Sequence, residues 1–300
     1  MFKARIKKVI KSSLIKTRDY ILELNEEPNG APKTERDFDH QDSAYPWLNS
    51  IFTRLAMIRP GTFRPSYTWG LLHSAHLAKA LGIDRVSAIE FGVAGGNGLV
   101  SLEKIAEEVE KALGVGIDVY GFDTGVGLPK PDNYRDLPNL YTAAAFPMDV
   151  EKLKNRIKKA RLILGDISGT IGGFIQSTPA PVAFVSVDVD YYSSTMHIFR
   201  LFDADHRILL PRIHCYFDDI TGFTHSDFTG ERLAIADFNV SHTMRKISPI
   251  YGVRHFLPAP TSHGEWPEKF YMAHFFDHAM YGVNDGLWRR PIGSSADLRT

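Results

Sequence analysis

The chain has almost no cysteine, no long apolar run and no net charge, and each absence removes a class of protein. The one cysteine, Cys215, excludes an internal disulfide, which fits a reducing compartment. No uninterrupted apolar stretch reaches the ~20 residues that cross a bilayer. The basic N-terminus lacks the apolar core of a secretion signal, so the expected location is the cytoplasm. Lys plus Arg number 35 and Asp plus Glu 35, so no broad surface for nucleic acid is expected. Cysteine–histidine spacings of the zinc type are also missing. What remains is ordinary for a globular chain: 300 residues, 44% hydrophobic and 23% charged. That is enough for a sizeable core in one large domain with extensions, or in two small ones.

Charge is unevenly spread. Residues 1–18 carry Lys3, Arg5, Lys7, Lys8, Lys11, Lys16 and Arg18 and no acid, while Phe2, Ile6, Val9, Ile10, Leu14 and Ile21 recur at helical spacing. This reads as a basic amphipathic helix over 1–22. Two roles stand open for it: peripheral contact with an anionic membrane, or an arm packed on its own domain or on a second subunit of a homo-oligomer. The packed arm is the commoner fate of such helices. Residues 25–45 are polar, with Pro28, Gly30 and Pro32, and read as a linker. The expected layout is helix and linker over 1–45, one domain over 46–280, and a tail over 281–300.

Within that domain the pattern alternates. Helical periodicity runs from Tyr67 to Leu81, stopped by Gly82. Short apolar runs at Val86–Val93, Ile117–Phe122, Arg161–Leu164, Val182–Val189 and Ile213–Phe217 read as strands. Helical segments are expected at Leu99–Leu113 and near 149–159, 191–203 and 229–239. Such alternation predicts an α/β fold, a doubly wound, mostly parallel sheet covered on both faces. Ligands of such sheets bind beyond the C-terminal strand ends, so the residues there are the functional candidates. The aromatic stretch Trp266, Phe270, Tyr271, Phe275 and Phe276 reads as a late core strand rather than a sugar platform.

The first strand ends in Glu90-Phe91-Gly92-Val93-Ala94-Gly95-Gly96-Asn97-Gly98. Glycines there let the backbone turn tightly and approach a ligand. The Gly-x-Gly-x-x-Gly fingerprint of nicotinamide binding is matched poorly, since Ala94 and Asn97 stand at the second and third glycine positions. The second strand ends in Asp123, which reads either as an acceptor for both hydroxyls of a ribose or as a helix-cap or turn aspartate. The third ends in Gly165-Asp166, and Asp166 reads equally as a helix cap or as an acceptor for an adenine amino group. The fourth ends in Asp188-Val189-Asp190. On an extended strand these two acids share one face, and acids ending a buried strand are expensive unless paired, solvated or bound to a cation. The fifth ends in Asp218-Asp219, which meet one ion only if the strand has turned by then. Four carboxylates at neighbouring strand ends suit a hard cation, magnesium or calcium. His214 and His197 lie near these acids in sequence and are alternative bases.

Taken together these segments resemble the macrocin O-methyltransferase family of class I S-adenosylmethionine (SAM)-dependent methyltransferases, a Rossmann-like fold. The resemblance rests on Glu90-Phe91-Gly92-Val93 with Gly95-Gly96, on Gly121-Phe122-Asp123 with Gly127-Leu128-Pro129, on Asp188 through Thr195, and on Phe217-Asp218-Asp219. It covers roughly residues 65–240. It implies SAM as methyl donor, held by Glu90, Gly92, Ala94, Gly95, Gly96, Asp123 and Asp166. It further implies Mg2+ on Asp188, Asp218 and Asp219, and a catalytic role for Asp188 and Asp190, with Asp190 as general base or further ligand. The acceptor it implies is a hydroxyl of a sugar or glycosylated small molecule. Two positions depart from the family: Ala94 replaces its middle glycine, and Val189 stands where it usually has glycine. A dinucleotide-dependent sugar oxidoreductase and a non-catalytic SAM-binding module are the rival readings.

Overall fold

The computed structural model describes residues 45–58, 64–222, 224–257 and 264–285. The expected helix over 1–22, nearly all of the linker, and residues 286–300 of the tail lie outside the described residues. In chain order the helices are α1 (Tyr45–Ile58), α2 (Pro65–Ala80), α3 (Asn97–Leu113), α4 (Val150–Lys154), α5 (Ile167–Gln176), α6 (Tyr192–Phe199) and α7 (Gly230–Ser241). The strands are β1 (Arg85–Phe91), β2 (Gly116–Asp123), β3 (Arg161–Leu164), β4 (Val182–Val187), β5 (Leu209–Phe217), β6 (Arg245–Pro249) and β7 (Phe270–Phe275).

All seven strands form one sheet in the order β3-β2-β1-β4-β5-β7-β6. The first five neighbours in that order are parallel, and β7 runs antiparallel between β5 and β6. This is the doubly wound, Rossmann-like α/β fold that the sequence predicts, a seven-stranded, mostly parallel sheet with flanking helices. Helices α1, α2 and α3 pack with one another, and α6 packs against both α5 and α7.

Local chemistry accounts for the elements. Pro65 opens α2 at a position where its missing N–H costs nothing. Gly82, at φ 72°, ends that helix as expected. Strand β4 is buried along its whole length, as a central strand covered on both faces must be. Helix α2 comes so close to it that a Cβ on Gly70 would overlap the Phe184 ring. Ser74 of α2 donates to the Ala183 carbonyl at 2.8 Å, satisfying a polar group in the layer between helix and sheet.

Several expected elements differ in extent. The segment near 149–159 is helical only over Val150–Lys154. The segment near 191–203 is α-helical to Phe199 and then tightens into a 3-10 turn, Arg200–Asp203. Strand β4 stops at Val187, two residues short of the expected end. The late aromatic strand is β7, which lies inside the sheet. Helix α1 and strand β6 carry no expectation from the sequence, and α5 is the helix that an Asp166 cap implies.

Candidate active site

The parallel strands end on one level. Phe91 pairs with Phe122 and with Val187, and Val187 pairs with Phe217, forming a row across the sheet. The ladder continues one step further. Gly92 N–H donates to Phe122 O, Asp188 N–H to Phe91 O and Asp218 N–H to Val187 O, each at 2.9 Å. Gly92, Asp123, Asp188 and Asp218 therefore emerge side by side from neighbouring strands. Above them lies a cavity of about 480 Å³. Glu90, Gly92, Ala94, Gly95, Gly96, Asp123, Asp166, Asp188, Asp190, Asp218 and Asp219 all line it.

On the glycine side the chain satisfies itself. Gly92 sits at φ 85°, where a Cβ would overlap the Asp188 carbonyl. Gly96 sits at φ 76° as the N-cap of α3. A Cβ on Gly95 would meet no protein atom within 4 Å. Ala94 occupies the left-handed region at φ 42°, so the departure from glycine carries backbone strain. The Asp123 carboxylate accepts from Val93 N–H at 2.9 Å and Ala94 N–H at 2.8 Å on Oδ2, and from Gly125 N–H at 2.7 Å on Oδ1. It thus ties the glycine loop to β2, leaving lone-pair capacity on Oδ1 rather than the whole carboxylate that a two-hydroxyl ribose contact would use. Asp166 is the N-cap of α5, its Oδ1 accepting Ser168 N–H at 2.8 Å. It lines the cavity as well, so capping and ligand contact are not exclusive.

Glu90 is fully buried behind the glycines. Its Oε1 accepts the Tyr67 hydroxyl at 2.6 Å, and Ser186 Oγ donates to the Tyr67 oxygen at 3.1 Å. Its Oε2 has no hydrogen-bond partner. Burial pushes the carboxyl up to about 7, against the Tyr67 hydrogen bond that lowers it.

On the acid side the groups repel. Oxygen atoms of Asp188, Asp218 and Asp219 all lie within 4.8 Å of one another. Burial first, then Asp218, Asp219 and Asp190, push Asp188 up to about 8. Burial and the neighbouring acids likewise raise Asp190 and Asp219. The geometry departs from the expected strand. Asp188 and Asp190 lie beyond the end of β4, with Asp190 at φ 63°, so no strand face brings them together. Asp218 and Asp219 lie in the turn after β5, which lets adjacent carboxylates approach one ion.

Groups without a sequence signal hold that turn. The buried Glu231, in the first turn of α7, accepts Asp219 N–H at 3.1 Å through Oε2. Its other oxygen, Oε1, has no partner, and burial with Asp219 and Asp188 nearby raises its carboxyl well above the usual range. Asp219 Oδ2 in turn accepts Asp190 N–H at 3.1 Å, and Tyr141 donates its hydroxyl to Asp219 Oδ1 at 3.2 Å. Tyr216 donates to Asp218 Oδ1 at 3.1 Å, and Lys269 donates to the Asp218 carbonyl at 2.7 Å.

The two expected alternative bases do not reach the cavity. His214 is buried between β4 and β7 and contacts Ser74 Oγ at 3.1 Å. Burial holds its ring neutral, well below the usual range. His197 lies on α6 and does not line the cavity. The histidine near the acids is His225, whose Nε2 lies 3.4 Å from the Tyr141 hydroxyl. Sequence reasoning missed His225, Tyr141, Tyr67, Arg64 and Glu231. Tyr141 and His225 sit in aperiodic connections, and Glu231 looks like any acid opening a helix.

No protein family matches the chain by sequence, and no curated protein matches it. Among solved structures it is similar to CalS11, a calicheamicin methyltransferase, with 19% identity and a TM-score of 0.46 over 75% of this chain and 96% of that one. It is similar to the O-methyltransferase TomG from Streptomyces achromogenes, solved with SAM, with 13% identity and a TM-score of 0.39 over 78% of this chain and 90% of TomG. A third is an O-methyltransferase from Bacillus cereus solved with S-adenosylhomocysteine (SAH), with 12% identity and a TM-score of 0.36 over 81% and 91%.

Proposed function

We propose that the chain is a SAM-dependent, divalent-metal-assisted O-methyltransferase acting on a hydroxyl of a sugar or glycosylated small molecule. The observation that carries this reading is the convergence of a glycine loop and three clustered carboxylates on one cavity. The residues fit a cationic cofactor. Gly95 presents only empty space, and Glu90 offers a buried oxygen without a partner. They also fit a hard cation, because an all-oxygen donor set suits Mg2+ and the mutual repulsion of Asp188, Asp218 and Asp219 asks for one. Among the described residues no helix is long and apolar enough to cross a membrane.

Glu90, the loop from Gly92 to Gly96, Asp123 and Asp166 would hold SAM, which supplies the methyl group. Asp188, Asp218 and Asp219 would hold Mg2+, which supplies charge that lowers the pKa of an acceptor hydroxyl. The chain's own part is then alignment and proton handling. The cavity would orient the acceptor hydroxyl toward the methyl donor and keep water from it, and an Asp190 carboxylate oxygen would take the hydroxyl proton as the methyl group is transferred. Burial holds Asp190 above the usual carboxylate range, which suits a base working near neutral pH. The domain proposed to do this spans 46–280.

The test is thermal stability with SAM, SAH and NAD, since a ligand of the native state must raise the melting temperature. SAM and SAH raise it and NAD does not. Stabilisation by NAD alone overturns the methyltransferase reading in favour of an oxidoreductase.

A further inference from the structure

The cavity is charged almost wholly in one sense. Among the described residues its lining carries seven carboxyl groups, from Glu90, Asp123, Asp166, Asp188, Asp190, Asp218 and Asp219, and one basic side chain, Arg64. That guanidinium stands at the entry to α2, with its carbon 5.3 Å from the Tyr67 ring centroid. It makes no ion pair with a described carboxylate, although guanidinium groups near acids usually find one. The hydroxyl of the same tyrosine meets Glu90 Oε1 at 2.6 Å, and the buried Glu90 Oε2 has no hydrogen-bond partner. The Arg64 charge acts on the Glu90 carboxyl and lowers it, without a hydrogen bond between the two.

That arrangement is complementary to an α-amino acid. SAM carries a sulfonium, an ammonium and one carboxylate. The two cations suit an acidic cavity, and the carboxylate does not. Backbone amides are the usual alternative for an anion at a glycine loop, but here most are spent. Gly92 N–H goes to Phe122 O and Gly96 N–H to Val93 O, and the N–H groups of Val93 and Ala94 go to Asp123.

We propose that Arg64, the basic side chain of this lining, binds the α-carboxylate of the methyl donor. The proposal rests on the cofactor reading above and assigns Arg64 a role in it. It makes a prediction opposite in sign to that of the cavity's charge alone. Decarboxylated SAM is the more cationic ligand, so an acidic cavity without a dedicated carboxylate site would bind it more tightly than SAM. With Arg64 in that role, SAM binds more tightly.

The experiment is calorimetric titration of the full chain with SAM, decarboxylated SAM and 5′-methylthioadenosine, which lacks the amino-acid part. The wild type prefers SAM over decarboxylated SAM by about tenfold or more. Arg64→Gln abolishes or inverts that preference and leaves methylthioadenosine binding unchanged. Arg64→Lys keeps part of the preference, because it keeps the charge and loses the fork. A wild type that binds decarboxylated SAM as tightly as SAM overturns the proposal without any variant. An Arg64→Gln protein that keeps the wild-type preference overturns it too. Failure of all three ligands to bind the wild type is a different result, and it removes the cofactor reading itself.

Discussion

The two halves of the cavity are built on opposite principles. At the ends of β1 and β2 the polar groups are matched inside the chain: Asp123 takes three backbone N–H groups and fixes the loop that β1 runs into. At the ends of β4 and β5 the chain gathers like charges and offsets them only in part: Lys269 pairs with Asp218 at 3.1 Å, while burial and the neighbouring acids drive Asp188 up to about 8. One half is preorganised by its own hydrogen bonds, and the other keeps an excess of negative charge. Preorganisation suits a ligand held by shape. Stored repulsion suits a cation that must bind strongly enough to be retained.

The sharpest way to break this comparison is to remove one charge from the acidic half. Asp219→Asn lowers Mg2+ affinity and methyl transfer by about tenfold to a hundredfold, and leaves SAM affinity unchanged because the glycine half is separate. Excess magnesium restores part of the transfer. Full activity of the wild type in chelator would show that the acids serve another purpose. Asp190→Asn differs if Asp190 is the base: metal is retained, transfer is lost, and magnesium does not rescue it.

A smaller effect is expected one layer out. Glu231 hydrogen-bonds to the cluster through Asp219 N–H. Glu231→Gln keeps an acceptor for that N–H and retains most of the metal affinity. Glu231→Leu frees the turn, and the Mg2+ dissociation constant rises several-fold while SAM binding holds. Equal metal titrations for the two variants would show that Glu231 merely fills space.

The same repulsion has a signature in pH. The Asp188 carboxyl rises from 3.8 to about 8 on folding. A raised carboxyl contributes stability that is full below its unfolded value and lost as pH climbs through the folded one. The metal-free protein therefore melts several degrees lower at pH 8.5 than at pH 6, and saturating Mg2+ removes much of that slope. Parallel melting curves with and without magnesium would contradict the link between the acids and the ion. The smallest effect belongs to the preorganised half. Ala94→Gly relieves the strain at φ 42° and raises stability by about 0.5 kcal/mol, the left-handed penalty less the entropy cost of glycine. Urea denaturation reads it.

The parallel strands and the acids at their ends were legible because both have a local signature: a short apolar run, then a glycine or a carboxylate. Asp188 and Asp218 follow residues paired in one register row, and two apolar strands ending in acids announce such a row. The groups that complete the site have no such mark. Tyr141 reaches Asp219 across 78 positions, and Tyr67 reaches Glu90 across 23. Their roles are set by the packing of a long connection and of a helix onto strand ends, which residue spacing does not encode. The histidines show the converse. His214 is close to the acids in sequence, yet β5 buries it in the sheet beside Ser74.

Strand β7 lies between β5 and β6, and this fixes the order in which the sheet can be finished. Residues 245–249 emerge from the ribosome before their partner, because β6 pairs with β7, residues 270–275, and with no other strand in the sheet. Until the chain has been extended past Phe275, β5 presents an open edge to its surroundings and β6 has nothing to join. Nascent chains paused or cut short in that interval carry an unpaired, largely apolar strand, the kind of edge that recruits a second chain. The arrival of β7 therefore also protects the strand that delivers Asp218 and Asp219.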